Sequence, residues 1–296
     1  TNTIQGNAVR EIIEDPWSNI WIGTEDAGLN ILNPATGKFT TLSPKDGHSG
    51  LTHTNIHGLM IDGDHLWIGT FEHGLDIMDM RTRKVIKHFA YGPGPYELKS
   101  NFIHSVFKTS NNRILVGTSN GIYLYNRQQQ NFRQLDFLPS GFYSAITEDA
   151  NGNVWLGTFK NGVYYYNPEL GRYGRLKYLQ NGTDRLEKNR VTYTYIDSNH
   201  QLWICTEDGL FCINLKTQRI RSFSTANGLP SNLVYCVIED NEQFLWITTS
   251  KGLVRMNPHT GVLNIFTQAN GLLSDQFNYS SAFKDRMGRI YFGSVK

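Results

Sequence analysis

Aromatic side chains stand beside charged ones in several short polar segments of this 296-residue chain. Phe71 is followed by Glu72 and His73, and Phe159 is followed by Lys160. A ring face can cover the C–H groups of a sugar while polar neighbours bind its hydroxyls, so these residue types favour carbohydrate binding. The predicted ligand-binding residues, on this basis, are Glu25, Asp26, Phe71, His73, Phe159, Lys160, Arg190 and Glu207.

The same segments contain groups that could transfer protons. General acid–base catalysis needs two such groups that converge on a substrate, and the candidates are His73, Glu72, Glu25 and Glu207. No spacing in the sequence ties them together, so we expect no catalytic residues. Phe71 and Phe159 also have a simpler alternative role, in which each ring packs against a neighbouring structural unit.

The nine histidines show no metal-binding spacing. His53 and His57 are four residues apart but span a junction between a linker and a strand, where helical ligand geometry does not apply. The segment from Asp149 to Asn153 resembles the start of a calcium loop, but its glycine comes one place early and no glutamate stands at the twelfth position. We therefore expect a hairpin turn there, and neither a metal nor a cofactor in the protein.

Composition excludes several classes of protein. The formal net charge is +2 and charged residues make up 18% of the chain, which argues against a nucleic-acid binder. No apolar run approaches the roughly 18 residues that a membrane-spanning helix requires. The chain starts with Thr rather than Met, so we expect a soluble piece of a longer protein.

A repeat of about 45 residues positions the polar segments. Each repeat contains an apolar pentad such as Ile20-Trp21-Ile22-Gly23-Thr24, and the intervals between pentads run from 40 to 48 residues. A period of this length indicates an array of supersecondary units. The second pentad residues are the repeat anchors Trp21, Trp67, Leu115, Trp155, Trp203, Trp246 and Tyr291.

Each repeat contains four runs that are typical of short antiparallel strands, so the sequence predicts an all-β fold, a seven-bladed β-propeller of four-stranded antiparallel blades. We expect one propeller over residues 1–296. Only five residues follow Tyr291, so the last blade should be incomplete. It should show two strands with an exposed edge, or borrow strands from another copy. The predicted blades are 7–45, 55–91, 101–137, 141–180, 189–225, 232–268 and the truncated 276–296.

The pentad residues have predicted structural roles. The anchor ring should fill the wedge between blades, and the glycine at the fourth position should let the next blade approach. The Thr or Ser at the fifth position should bind a backbone group at the strand end. A glycine in the turn after the pentad should adopt a positive φ. Cys205, Cys212 and Cys236 should be buried free thiols, with Trp203 opposite Cys212.

The pentads, and linkers such as Ala226-Asn227-Gly228-Leu229-Pro230, resemble the two-component regulator propeller repeat. That family builds the periplasmic sensor regions of hybrid histidine kinases, prominent in gut Bacteroidetes. The resemblance implies that this chain is the second, membrane-proximal propeller of such a sensor. It further implies an adjacent propeller, C-terminal signalling domains, a membrane-anchored parent protein and a homodimer.

The resemblance implies a non-enzymatic module that detects an oligosaccharide or a polysaccharide breakdown product in the periplasm. Two alternatives remain open from the sequence. One is a lyase-type propeller enzyme, which would need an acid and a base at one site. The other is a protein-interaction scaffold, which would show a contiguous apolar patch on one face.

Overall fold

The computed structural model describes residues 2–295, so Thr1 and Lys296 of the predicted propeller range lie outside the described residues. The chain divides into two compact units, Thr1–Tyr143 and Ser144–Lys296. Both units are built from antiparallel strands, and each contains three four-stranded sheets in which consecutive strands are neighbours. Among residues 2–295, no helix is long and apolar enough to cross a membrane.

The first unit contains blades 1 to 3, each with its four strands in chain order. Strand lengths of four to seven residues suit short blades of this kind. The strands are β1 (Val9–Glu14), β2 (Ile20–Thr24), β3 (Leu29–Asn33), β4 (Lys38–Leu42), β5 (Ile56–Asp62), β6 (His65–Thr70), β7 (Leu75–Asp79), β8 (Lys84–Phe89), β9 (Ile103–Lys108), β10 (Ile114–Thr118), β11 (Gly121–Asn126) and β12 (Asn131–Gln134).

The second unit contains blades 4 to 6, two further strand pairs and two short 3-10 helices in its linkers, Thr225–Asn227 and Gln268–Asn270. Its first strand begins at Tyr143, the last residue of the first unit. The strands are β13 (Tyr143–Glu148), β14 (Val154–Thr158), β15 (Val163–Asn167), β16 (Arg172–Arg175), β17 (Leu179–Gln180), β18 (Thr183–Asp184), β19 (Val191–Ile196), β20 (Gln201–Thr206), β21 (Gly209–Asn214), β22 (Ile220–Phe223), β23 (Val234–Glu239), β24 (Leu245–Thr249), β25 (Gly252–Met256), β26 (Leu263–Phe266), β27 (Phe277–Lys284) and β28 (Ile290–Ser294).

The predicted count of seven blades is wrong. The described residues form six four-stranded blades, and the seventh repeat contributes only the two-stranded sheet of β27 and β28. The physical reason lies in the chain itself, because only two residues follow Ser294 and a third and fourth strand would need about fifteen more. The prediction of four-stranded antiparallel blades is confirmed for the other six repeats.

A small hairpin between blades 4 and 5 was not predicted. Strands β17 and β18 pair through Leu179 with Asp184 and Gln180 with Thr183. The two residues between them, Asn181 and Gly182, have φ values of 52° and 77°. An Asn-Gly pair with positive φ at both positions is the preferred tight hairpin turn, so this dipeptide was a signal that the repeat pattern obscured.

The anchor tryptophans pack against the following blade, as predicted. In the first unit, Trp21 is 1% exposed and joins a core cluster with Ile56, Leu66 and Ile68 of blade 2. In the second unit, Trp203 is fully buried and packs with residues of blade 6. The equivalent clusters in the other blades contain Trp67 and Trp155, and Trp246 packs against the cluster that includes Phe277.

The fourth pentad residue is a glycine where the next blade comes closest. A Cβ added to Gly23 would lie 2.7 Å from Cγ2 of Ile56, and one added to Gly69 would lie 2.6 Å from Cγ2 of Ile103. Carbon atoms in contact lie about 3.5–4.0 Å apart, so no larger residue fits without a shift. The predicted role of this glycine is confirmed at these positions.

The hydroxyl of the threonine that ends the pentad makes two hydrogen bonds within the next turn. Thr206 Oγ1 donates to the carbonyl of Gly209 at 2.8 Å and accepts from the backbone N–H of Asp208 at 3.0 Å. The same pair of hydrogen bonds recurs in the turns after Thr24, Thr70, Thr118, Thr158 and Thr249. The hydroxyl has the structural role that the sequence predicted.

A buried aspartate organises the first hairpin of the repeat. Asp197 Oδ1 accepts from the backbone N–H groups of Asn199 and Gln201 at 2.9 Å, and Oδ2 accepts from Trp203 Nε1 at 2.8 Å. Asp15, Asp149 and Asp240 accept in the same way from Trp21, Trp155 and Trp246, and Asp285 accepts from the hydroxyl of Tyr291. The segment that resembles a calcium loop is one of these hairpin turns, as predicted.

The three cysteines are free and buried, as expected. Trp203 lies opposite Cys212 and Cys205 lies opposite Leu210, so the two thiols of this blade do not face each other. Burial raises the pKa of Cys212 to about 11, which keeps this thiol protonated at neutral pH.

We predict that Asp197→Ala lowers the free energy of unfolding by about 2 kcal/mol or more. The substitution leaves the indole N–H of Trp203 and two backbone N–H groups without their acceptor, and each unsatisfied buried donor costs about 1–3 kcal/mol. Urea denaturation of the 296-residue chain measures the difference.

Asp208→Ala is the matched control. The side chain of Asp208 is 60% exposed and lies 3.9 Å from Arg185, its one ion-pair partner among residues 2–295, so its removal should change the unfolding free energy by less than about 0.5 kcal/mol. Equal effects of the two substitutions would contradict a structural role for the buried aspartate.

Candidate functional site

The turns after the pentads and the linkers before the inner strands are hydrogen-bonded to each other, so the predicted site residues share one face within each unit. In the first unit, the backbone N–H of Phe71 donates to the carbonyl of Asn55 at 3.1 Å. In the second unit, the N–H of Glu207 donates to the carbonyl of Arg190 at 3.1 Å, and that of Gly209 donates to Asn232 at 2.7 Å.

Gly209 shows why this turn requires glycine. Its φ is 107°, and a Cβ would lie 2.7 Å from the carbonyl oxygen of Phe223 at the end of the blade's fourth strand. A side chain would therefore both strain the backbone and displace that strand. This close packing fixes the turn relative to the fourth strand, and with it the position of Glu207.

A one-residue β-bulge interrupts the inner strand of at least five repeats at its start. In β5, for example, Ile56 pairs with Thr70 and Gly58 with Gly69, so His57 has no partner in the ladder. Bulges turn a side chain away from the regular alternation. The residues at these positions are Arg10, His57 and His104 in the first unit and Thr192 and Tyr235 in the second. In β27 the irregularity is longer and runs between Phe277 and Ala282.

In the second unit, three of the four predicted residues come together. Arg190 Nη1 lies 3.7 Å from Glu207 Oε1, and the Arg190 guanidinium carbon lies 5.9 Å from the centroid of the Phe159 ring. Phe159 and Glu207 are half-buried, whereas the side chain of Arg190 is 53% exposed. Lys160 is exposed and makes no hydrogen bond or ion pair with residues 2–295.

Two tyrosines that the sequence did not single out complete this group. Tyr279 donates its hydroxyl to Glu207 Oε1 at 3.3 Å, and its ring lies 6.5 Å from that of Phe159. Tyr235, at the bulge of β23, contacts Tyr279 edge to face with ring centroids 4.9 Å apart. Burial raises the pKa of Tyr235, and the nearby Glu207 carboxylate raises it further, so this phenol keeps its proton at neutral pH.

We call Phe159, Arg190, Glu207, Tyr235 and Tyr279 the arginine–tyrosine site. It presents ring faces, a guanidinium with several donors, a carboxylate acceptor and the Tyr279 hydroxyl in one place, while Tyr235 is buried beneath Tyr279. The partly exposed ion pair between Arg190 and Glu207 contributes little stability, so a ligand hydroxyl can replace it at small cost. These are the groups that a polyhydroxylated ligand would need.

In the first unit, the two predicted acidic residues make contacts within the protein. Arg10 Nη1 pairs with Glu25 Oε1 at 3.1 Å, and the side chain of Arg10 is only 15% exposed. Asp26 accepts from the backbone N–H of Asn7 at 3.3 Å and so holds the segment before β1.

Phe71 belongs to a group of packed rings that we call the histidine–aromatic cluster, formed by His57, Phe71, Phe102, His104 and Phe142. The Phe71 ring lies 4.8 Å from His57 and contacts Phe102 edge to face at 5.3 Å. His104 stacks on Phe142 at 3.5 Å and its Nε2 lies 2.6 Å from the Ser119 hydroxyl. Phe71 therefore packs partly against blade 3, which was the simpler alternative from the sequence. His73 lies outside this cluster, beside His53.

The two imidazoles of the cluster are held neutral. Burial, together with the nearby positive charge of Arg10, lowers the pKa of His57 to about 2. Burial and Arg10 likewise lower the pKa of His104 to about 3. The Nδ1 atoms of both rings are buried without a hydrogen-bond partner in the described residues. These rings therefore act at neutral pH as uncharged packing groups.

We predict that the cluster makes stability fall as the pH drops from about 6.5 towards 3. In this range the unfolded chain binds protons on these two imidazoles, whose ordinary pKa is 6.5, while the folded state does not. Well above pH 6.5 the two imidazoles are neutral in both the folded and the unfolded state, so they no longer make the stability depend on pH. Urea denaturation at a series of pH values measures the slope, which should be shallower in His57→Gln and in His104→Gln.

His259→Gln is the control, because His259 is exposed and its variant should keep the slope of the parent chain. An unchanged slope in both cluster variants would show that these imidazoles are not held neutral in the folded state.

Sequence reasoning missed the bulge residues for a definable reason. A repeat is recognised by the residues that its copies share, whereas the bulge positions hold arginine, histidine, threonine or tyrosine in different repeats. The available signal was a polar or aromatic residue next to the first apolar residue of each inner strand, which breaks the two-residue alternation.

Parts of this chain are similar in sequence to known proteins of two-component systems. Residues 138–160 and 228–251 match the family model described as "Two component regulator propeller". A stretch of 165 residues, 51% of this chain, is 28% identical to Histidine kinase P4 of Formosa agariphila and covers 12% of that protein.

Solved structures share the fold. The extracellular domain of BT3049, a candidate hybrid two-component system of B. thetaiotaomicron, matches with a TM-score of 0.83 at 24% identity, over 100% of this chain and 39% of that one. A catalytically inactive variant of virginiamycin B lyase from Staphylococcus aureus matches with a TM-score of 0.71 at 13% identity, over 97% of this chain and 92% of the lyase. The chain thus spans well under half the length of the two-component proteins that it resembles.

Proposed function

We propose that this chain, which matches the two-component regulator propeller model over residues 138–160 and 228–251, is the ligand-sensing part of a two-component sensor kinase. It recognises an oligosaccharide or another polysaccharide breakdown product and passes the signal to kinase domains elsewhere in the parent protein. The module binds its ligand without converting it.

The observation that carries the proposal is the arginine–tyrosine site. Phe159 and Tyr279 offer ring faces to sugar C–H groups, while Arg190 and Glu207 offer a donor and an acceptor to adjacent hydroxyls. Glu207 is already a hydrogen-bond acceptor, from Tyr279, so its carboxylate is oriented before a ligand arrives. An oriented acceptor beside aromatic rings favours a polyol over an apolar ligand.

The proposal extends to the parent protein. The kinase relative and the extracellular domain of the hybrid system support a periplasmic location, outside an inner membrane that anchors the parent. Because the chain covers 39% of that extracellular domain, a second propeller adjoining this one fits the remaining length. We further propose the membrane-proximal position for this chain. Signalling would then proceed through a homodimer of the parent.

A lyase-type function has less support from the geometry. The likeness to virginiamycin B lyase concerns the fold, at 13% identity. Of the candidate acids and bases, Glu25 pairs with Arg10, and Glu207 is engaged by Arg190 and Tyr279. Within residues 2–295, no hydrogen bond joins Glu72 to His73, so no acid–base pair is assembled at that turn.

We predict that an oligosaccharide that binds the parent's complete extracytoplasmic region will bind at least tenfold more weakly to Phe159→Ala and Glu207→Gln. Phe159→Ala removes a ring face, and Glu207→Gln removes the charge and replaces one acceptor oxygen with an NH2 donor. Losing about 1.4 kcal/mol of binding free energy corresponds to that factor. Isothermal titration calorimetry with a panel of neutral and uronic-acid oligosaccharides provides the measurement.

Tyr173→Ala removes an exposed ring elsewhere in the second unit and is the matched control, with no expected change in affinity. The proposal fails if every glycan in the panel is inert while another metabolite binds, or if Phe159→Ala binds like the parent.

A further inference from the structure

Two histidines and a glutamate from separate segments meet on the first unit. His53 lies in the linker before β5, and Glu72 and His73 lie in the turn between β6 and β7. The imidazole rings are edge to face with centroids 4.0 Å apart. One ligating atom from each of the three side chains lies within 4.8 Å of the other two. From this geometry we propose that His53, Glu72 and His73 bind a divalent transition-metal ion, Zn²⁺ in the first instance.

The donor set suits this class of ion. Two imidazoles and one carboxylate are a common three-ligand set for Zn²⁺, with a fourth position left for water or another ligand. In a tetrahedral site with Zn–N distances of about 2.0–2.1 Å, ligating atoms lie about 3.4 Å apart. The three side chains must therefore close by little more than 1 Å from their present spacing, which side-chain rotation allows.

The backbone on both sides of the group is fixed by hydrogen bonds. The N–H of His73 donates to Thr70 Oγ1 at 3.0 Å, and that of Gly74 donates to the carbonyl of Asn101 at 2.8 Å. On the linker, the carbonyl of Thr54 accepts from Gly28 at 2.9 Å. Binding would thus order only three side chains, and a site on a rigid frame loses little conformational entropy.

The three ligating side chains are at least partly accessible. The Glu72 carboxylate makes no hydrogen bond with any residue from 2 to 295, and it is exposed, while both histidines are half-buried. Burial lowers the pKa of His53, the neighbouring His73 lowers it further, and Glu72 opposes the shift. A lowered pKa favours the neutral imidazole, which is the form that binds metals.

One contact must change on binding. His53 Nδ1 accepts from the N–H of Asn55 at 3.2 Å. If the metal takes Nε2, the ring proton moves to Nδ1 and this hydrogen bond is lost. The amide of Asn55 therefore reports on coordination without touching the ion.

The pair of histidines belongs to one repeat only. The position before the turn glycine is Ala27, Asn120, Asn161, Asp208 or Lys251 in other repeats, and the position two before the linker Asn is Gln5, Lys99, Glu187 or Pro230. The repeat fold therefore does not require histidine at either place. His57 and His104 of the histidine–aromatic cluster are no alternative, because they are buried and the charge of Arg10 acts on both.

Zinc titration of the metal-free, tag-free 296-residue chain by isothermal calorimetry tests the proposal. We expect one Zn²⁺ per chain, and at least tenfold weaker binding in His53→Ala, His73→Ala and Glu72→Gln, since each loses one of three ligands. The amide resonance of Asn55 should shift on saturation in the parent chain. Thermal melts of the metal-free variants verify that each is folded.

His259→Ala, which removes an exposed histidine in the second unit, is the matched control and should bind Zn²⁺ like the parent. The proposal is overturned if the parent chain binds no Zn²⁺ at 1 mM, if folded His53→Ala and His73→Ala bind as tightly as the parent, or if His259→Ala weakens binding as much as they do. None of these outcomes depends on whether the arginine–tyrosine site binds a glycan.

Discussion

An aspartate carboxylate that accepts an indole N–H fixes the first hairpin in four repeats, in three of which the aspartate is buried, and a tyrosine hydroxyl takes the place of the indole in a fifth. The aspartate binds backbone N–H groups on one side of the turn and the anchor ring on the other, so turn and ring cannot move independently. The ring then fills the space against the next sheet, and that contact sets where the following inner strand lies. The positions of the residues in the turns and linkers therefore depend on this series of contacts. The repeats anchored by Trp67 and Leu115 have Ile61 and Thr109 in place of the aspartate. Thr109 Oγ1 accepts the backbone N–H of Arg113 at 3.1 Å, whereas Trp67 is packed in an apolar cluster.

The repeated parts of the structure were predictable from the sequence because each has a local physical cause. An apolar pentad between a polar turn and a glycine specifies a buried strand in a hairpin, and the threonine hydroxyl finds its acceptor within four residues. The blade count was not predictable in the same way. A repeat can be recognised from two strands, but a blade needs four, and β27 and β28 supply only half of one. The Asn181-Gly182 hairpin was missed because it belongs to no repeat.

The candidate site was predictable only in part. Phe159, Arg190 and Glu207 were found because they lie in turns and linkers, where the repeat leaves residue choice free. Tyr235 and Tyr279 were missed because they lie in strands, and only the pairing of strands reveals that a bulge removes Tyr235 from the ladder. Glu25 and Asp26 have the right chemistry for a ligand but are engaged by Arg10 and by the backbone of Asn7. Which polar groups are already satisfied is a property of tertiary structure and leaves no trace in spacing.

At the bulge at the start of the inner strand, the choice of side chain does not affect the pairing of the strands. A ladder residue of the inner strand is constrained by its partner on the second strand, whereas a bulge residue has no such partner, so its side chain can change while the sheet stays the same. Five four-stranded blades hold arginine, histidine, threonine or tyrosine at this position without any change in blade architecture. Evolution can therefore alter what such a scaffold recognises one repeat at a time, by substitutions that leave its folding intact.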